Sequence, residues 1–283
     1  MNCIEVENIS KRFGPVNALT NINLKFEPNK IYGLLGRNGA GKSTLLNIIT
    51  NRLFANSGQV LIDGIKAAEN DEVLGKVYMM SEKCLYPEGM KIAKVLKWSN
   101  EFYPGFDLDY ARRLADEFGL ELNKKVKNLS TGYGSIMKLV VALAVNTPYL
   151  LLDEPVLGLD ANHREMFYRI LVQHFAQRPS TIVLSTHLIE EVATVIEEVV
   201  IIKDGKILKN ESCASLTAKG YTVSGSAAAV DSFVADKQVI GSDSLGGLKS
   251  VHILGIPNKK NLPQGLEISR LDLQKLFIKL TSA

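Results

Sequence analysis

Cysteine is scarce. Cys3, Cys84 and Cys213 are the three cysteines in 283 residues, with no CxxC pair, which excludes a disulfide framework or a zinc-ligand pattern and suits a reducing compartment. Net charge is scarce as well. The balance of 33 basic and 30 acidic residues leaves +3, too little to argue for nucleic acid or an anionic lipid surface as a partner. Long apolar runs are missing: Leu139 to Val145 and Leu150 to Leu152 are split by Asn146, Thr147 and Pro148, far short of the roughly 18 residues that span a bilayer. The opening MNCIEVENIS carries acids where a secretion signal has a basic start and an apolar stretch. The chain is not expected to cross a membrane by itself.

What is present suffices for a packed interior. With 46% hydrophobic and 22% charged residues, the composition is that of a globular protein, not of a disordered, collagenous or coiled-coil chain. At about 150 residues per domain, the length fits one large domain plus a small appendix, or two domains.

Apolar alternation in Ile4 to Ile9 and Ile22 to Phe26 predicts strands joined through Phe13, Gly14 and Pro15. Ile31 to Leu35 reads as a buried strand, and Leu45, Leu46, Ile49 and Leu53 recur at helical spacing over Ser43 to Phe54. Leu85 to Asn128 reads as a mainly helical insertion with helices over Lys91 to Tyr103 and Asp107 to Phe118; Asp107 suits an N-cap and Gly119 a C′ position. A helix over Ser135 to Val145 precedes apolar strands at Tyr149 to Asp153, Thr181 to Ser185 and Val199 to Ile202, with a helix near Leu188 to Ile196. Beyond about Glu211 the texture turns to Ser, Gly and Ala with short apolar runs at Tyr221 to Val223 and Val251 to Leu254, ending in an amphipathic Leu271 to Leu280 helix. The expected class is α/β: a core with a parallel sheet, an N-terminal antiparallel β layer, the helical insertion, and a small C-terminal α/β appendix over 211–283 following a main domain over 1–210.

Two stretches carry chemistry. Gly36-Arg37-Asn38-Gly39-Ala40-Gly41-Lys42-Ser43-Thr44 fits GxxxxGK[ST] between a strand and a helix. Its amides can surround phosphate oxygens, Lys42 can reach the β and γ phosphates, and the Ser43 hydroxyl can bind Mg²⁺. At the mouth of an apolar strand, Asp153 is placed beside that metal, and Glu154 beside the γ-phosphate as base or water positioner. Two adjacent acids there are costly unless something cationic joins them.

With these motifs the chain resembles, over roughly Met1 to Leu208, the ATP-binding subunit of ABC transporters. Leu129-Ser130-Thr131-Gly132-Tyr133 is similar to that family's LSGGQ signature, keeping its serine and its second glycine. The resemblance implies that Ser130 and Gly132 bind the γ-phosphate of ATP held by an opposite subunit. It further implies that Phe13 stacks on adenine, that Val156 to Asp160 links the two sites, and that His187 contacts the γ-phosphate. Where the family has a glutamine, alignment on Leu85-Tyr86-Pro87 puts Ser81, with Glu82 adjacent; either Glu82 substitutes or a water fills the gap.

The resemblance implies ATP and Mg²⁺ as cofactors. It implies a second ATPase subunit, identical or related, and a separate membrane-spanning permease that docks near Ser81 to Met90 and holds the chain on the inner face of the cell membrane. The Ser269 to Thr281 stretch is similar to the terminal helix of the exporter-type branch, so the appendix is expected to be regulatory or dimer-supporting. Two alternatives stay open: a soluble ATPase of the same fold that remodels a cytosolic assembly, and a different P-loop enzyme such as a kinase or GTPase. No nucleic-acid partner is expected.

Overall fold

The computed structural model describes residues 2–257 and 262–282. The chain opens with β1 (Ile4–Phe13), β2 (Val16–Phe26) and β3 (Ile31–Leu35), then α1 (Lys42–Ile49), β4 (Ser57–Ile62), β5 (Ile65–Lys66), α2 (Asp71–Leu74) and β6 (Val77–Met80). The helical insertion holds α3 (Ile92–Phe102) and α4 (Leu108–Glu117) and leads into α5 (Thr131–Ala144). There follow β7 (Tyr149–Asp153), α6 (Ala161–Gln177), β8 (Thr181–Thr186), α7 (Ile189–Val192), β9 (Glu198–Lys203) and β10 (Lys206–Ser212). The C-terminal part holds α8 (Cys213–Ala218), β11 (Gly220–Ser226), α9 (Ala227–Val234), β12 (Gln238–Leu245), β13 (Leu248–Leu254), β14 (Glu267–Arg270) and α10 (Leu273–Ser282).

The central sheet has the order β10-β9-β3-β8-β7-β6. Its pairings are parallel except for β10, which folds back on β9 through Asp204 and Gly205, both at positive φ. Both faces are buried, so β3, β7, β8 and β9 read as continuous apolar runs. Alternate residues feed opposite cores. Leu150, Leu152, Ile182, Leu184 and Val199 face α3 to α7, whereas Leu34, Leu151, Val183 and Val200 face α1 and the antiparallel layer β2-β1-β4-β5.

The insertion's caps are as its sequence predicts: Asp107 accepts from the Tyr110 amide, and Gly119 has φ +65. Other boundaries differ from expectation. The helix predicted over Ser43 to Phe54 runs from Lys42 and stops at Ile49, because Asn51 turns the chain at φ +53 while Leu53 packs from outside the helix. The helix expected near Leu188 to Ile196 is reduced to Ile189–Val192; Ile196 is buried from a turn instead.

The terminal helix begins at Leu273, not at Ser269, since Glu267–Arg270 pairs as a strand with β11 and Asp272 caps the amides of Gln274 and Lys275. The C-terminal sheet has the order β12-β13-β11-β14 with a small core of its own around Val223, Val230 and Val251. Leu273, Leu276 and Phe277 of α10 nonetheless belong to the apolar cluster that contains Ile189 and Val192 of α7.

Candidate functional site

The glycine-rich loop spans the turn from β3 to α1. Gly41 has φ +109, and a Cβ there would stand 2.7 Å from the Ala18 carbonyl oxygen, so glycine is required on both counts. The β9–β10 turn clamps the loop from the other side: the Gly205 amide donates to Ala40 O at 3.1 Å and the Thr20 amide to Gly205 O at 2.8 Å. The start of α1 therefore presents its free amides toward a cleft of about 590 Å³ lined by Asn38, Gly39, Ala40, Gly41, Lys42, Ser43 and Thr44 together with Glu82, Glu154, Leu157, His187 and Asp204.

Lys42 is 6% exposed; its ammonium donates to Gly36 O at 2.8 Å and lies 3.6 Å from the Glu154 carboxylate. Glu154 follows β7 at φ +47, a left-handed conformation that costs a non-glycine residue about 1–2 kcal/mol. The turn aims its carboxylate at His187, whose Nδ1 lies 3.0 Å from either oxygen, while the Thr186 hydroxyl donates at 3.2 Å. Asp153, one residue earlier and 4% exposed, accepts from the Ser185 hydroxyl at 2.7 Å. A cation, a carboxylate and an imidazole thus converge over the backbone amides of the loop, with Asp153 behind them, an arrangement suited to holding a triphosphate and activating a water beside it.

Of the sequence-predicted residues, Asn38 to Thr44, Glu154 and His187 come together in the cleft, with Asp153 directly behind. Gly36 and Arg37 do not line it. Gly36 supplies the carbonyl that Lys42 grips, and Arg37 faces a separate cleft with Lys203, Asp204 and Thr281. Phe13 is not a lining residue either. It sits, 48% exposed, at the end of β1 opposite Val16, with the Lys11 ammonium 5.1 Å from its centroid.

Ser130 and Gly132 lie outside the cleft. Ser130 is the N-cap of α5 and accepts from the Tyr133 amide at 3.3 Å. A Cβ on Gly132 would meet Gly158 O at 2.6 Å, and the Ser135 hydroxyl donates to Leu157 O at 2.8 Å, so the turn is pressed against the 157–158 loop. Leu157 itself reaches the cleft.

Sequence reasoning left Ser81 and Glu82 open as replacements for the family glutamine. Glu82 lines the cleft; Ser81 spends its hydroxyl on Lys83 O at 2.9 Å and lines a different groove. Thr186, Ser185 and Asp204 were missed as contributors. The first two immediately precede His187, and Asp204-Gly205 is a hairpin-turn dipeptide in the sequence.

A protein family described as ABC transporter matches residues 19–157. The ABC transporter ATP-binding protein YtrB of Bacillus subtilis (strain 168) is 30% identical over 204 residues, 72% of this chain and 70% of YtrB. The ribose import ATP-binding protein RbsA of Oceanobacillus iheyensis is 28% identical over 219 residues, 73% of this chain but 44% of RbsA, so the chain spans under half of that relative's length. Among solved structures, the dimeric bacterial ABC transporter cassette MJ0796 superimposes with a TM-score of 0.67 at 27% identity, covering 74% of this chain and 98% of that one. The same cassette has also been solved in a post-hydrolysis state bound to ADP and Pi.

Proposed function

Since this chain belongs to the ABC transporter family, as an ATP-binding subunit with ATPase activity, we propose that it drives a transporter whose membrane-spanning part is a separate permease. One observation carries the site assignment: Lys42, Glu154 and His187 converge over the Gly39–Thr44 amides in one cleft. The loop amides and Lys42 hold the β and γ phosphates. Glu154 accepts a proton from the attacking water, and His187 orients the carboxylate and meets the γ-phosphate.

The donors at the metal position, the Ser43 hydroxyl and the Asp153 carboxylate, are hard oxygens. Among the described residues no cluster of three or more His, Cys, Asp or Glu could hold a metal, which fits Mg²⁺, an ion that takes one or two protein oxygens and completes its shell with phosphate and water. When bound, it neutralises charge on the β and γ phosphates.

The Ser130 turn completes the reading. Its exposed serine and the α5 amides form an anion site that lies outside its own chain's cleft. We assign it to the ATP of a second subunit, identical or related, so that two ATP molecules join the pair head to tail. Hydrolysis removes the γ-phosphate that bridges them and reopens the pair.

A permease is supported by an open apolar groove beside the cleft, lined by Tyr78, Leu85, Tyr86, Trp98 and Phe102, with Leu85 and Phe102 each more than 70% exposed. Among the described residues no helix is long and apolar enough to cross a membrane. We place the chain on the inner face of the cell membrane through that groove. Export is our reading of direction and rests on the terminal helix α10 alone; relatives of this likeness include a ribose import protein. The C-terminal part is read as regulatory or dimer-supporting.

The test is co-purification in detergent together with nucleotide titration. A retained multi-span membrane protein, with ATP binding lost in Lys42→Ala, is the expected result; a soluble or nucleic-acid complex, or ATP affinity unchanged in Lys42→Ala, would overturn the reading.

A further inference from the structure

The chain leaving β6 at Met80 enters the loop that separates two cavities. Ser81 lines the apolar groove, and Glu82 lines the nucleotide cleft. The peptide between them is the wall. Neither residue is in a strand or a helix, so their carbonyls have no ladder to join and need other donors.

One side chain supplies both. Lys138, on α5, donates to Ser81 O at 3.0 Å and to Glu82 O at 2.6 Å. An ammonium offers three donors, and a charged donor makes stronger bonds than a neutral one. Burial holds this lysine below its ordinary value, with Cys84, Glu82 and Asp153 pulling the other way. Arg52 performs the same office two residues earlier, donating to Met79 O at 3.2 Å. The exit of β6 is thus pinned by two cations, both of which line the apolar groove.

Lys138 lies eight positions after Ser130 on the same helix, about 12 Å along its axis at 1.5 Å per residue. The helix that begins at the Ser130 turn therefore also grips the loop bearing Glu82. Where the family glutamine would span this distance with its own side chain, this chain has a short serine whose hydroxyl is committed to Lys83 O. The reach comes from the opposite direction, from a lysine on the helix.

We propose that Lys138 is a positioning residue for the ATPase reaction: it fixes the Ser81–Glu82 peptide so that Glu82 faces Ser43 and Glu154 across the nucleotide cleft. The inference rests on the reading of that cleft as the ATP site. Glu82 lines the nucleotide cleft, where its carboxylate would help hold the Mg²⁺ that accompanies ATP, and Lys138 makes its position depend on where α5 stands.

The experiment is a double-mutant cycle on the full chain with Glu82→Ala, Lys138→Met and the pair, and with Lys138→Arg as the conservative variant. Steady-state hydrolysis is measured against MgATP and Mg²⁺ concentration, and ATP affinity is titrated with and without Mg²⁺. Glu82→Ala and Lys138→Met are each expected to lower kcat by about tenfold or more, the usual effect of removing a group that orients a metal site. The Mg²⁺ enhancement of ATP affinity should shrink in both, while affinity without Mg²⁺ stays within about twofold, a split that a general loss of fold does not give.

The double variant should be no worse than the worse single, and Lys138→Arg should recover most of the rate. Additive losses, an unrescued Lys138→Arg, or a Glu82→Ala with wild-type kcat and Mg²⁺ dependence would each overturn the proposal. Glu82 is exposed, so that last variant folds even where Lys138→Met does not. Lys42→Ala separates the two levels: if it keeps ATP, the cleft assignment fails, whereas if it loses ATP while the cycle is additive, only the role of Lys138 fails.

Discussion

Glu154→Gln removes a charge and almost no volume. The carboxylate is 15% exposed, faces His187 and Thr186, and lies 3.6 Å from Lys42. The amide retains one acceptor for Thr186 or His187, so the turn keeps its shape. Lys42 loses its counter-charge. At that distance a pair near a protein surface is worth about 4 kcal/mol before desolvation is subtracted, and the net is about 1–2 kcal/mol.

A γ-phosphate arriving at Lys42 competes with this carboxylate in the wild type and meets no such competitor in the variant. ATP affinity should therefore rise by about tenfold, since each 1.4 kcal/mol is a factor of ten. Loss of the base should lower turnover by about 10²–10⁴. Calorimetric titration, phosphate release and size-exclusion chromatography in MgATP read the three consequences: tighter binding, halted hydrolysis and a retained dimer. Phosphate release above a tenth of wild type would refute the base assignment. ATP affinity unchanged within twofold would refute the competition at Lys42.

Gly132→Ala forces a Cβ to within 2.6 Å of Gly158 O, so backbone must move at a cost of about 1–3 kcal/mol; the ATP-dependent dimer should be lost while monomer affinity for ATP holds, and a normal dimer would remove Gly132 from the interface. His187→Ala should slow phosphate release by about tenfold or more with ATP binding unchanged; undiminished turnover would leave the histidine a bystander. Burial, with Arg178 beside it, lowers His174 from 6.5 to about 4, so the unfolded chain takes up a proton at a pH where the folded one does not. Stability unaffected by this group above pH 6.5 should then fall by about 3 kcal/mol as pH drops from 6.5 to 4. His174→Gln should flatten that part of a denaturation-versus-pH curve, and an unchanged slope would assign it to other groups.

Four strands of the central sheet, β3, β7, β8 and β9, were legible because each is a short apolar run buried on both faces, whereas β6 was not read. The loop at Gly36 to Thr44 was legible because its chemistry is local, as was Asp107 as a helix cap. Helix ends were less so. Leu53 and Ile196 sit at helical spacing yet pack from turns, and periodicity does not tell the two apart. The antiparallel β10 is signalled by Asp204-Gly205, a dipeptide that periodicity passes over. Least legible were contacts between residues far apart in the chain: Lys138 with Ser81 and Glu82, or Ser135 with Leu157, are fixed by packing of α5 on the sheet and leave no mark at either position alone.

The left-handed backbone at position 154 has a further consequence. Left to thermal robustness alone, substitution there runs toward glycine or asparagine, residues at ease at φ +47. Both would strip the cleft of its carboxylate. A heat-challenge library of this chain, scored only on soluble survivors, would therefore enrich silent ATPases, and the working sequence is not the most robust one its own architecture admits.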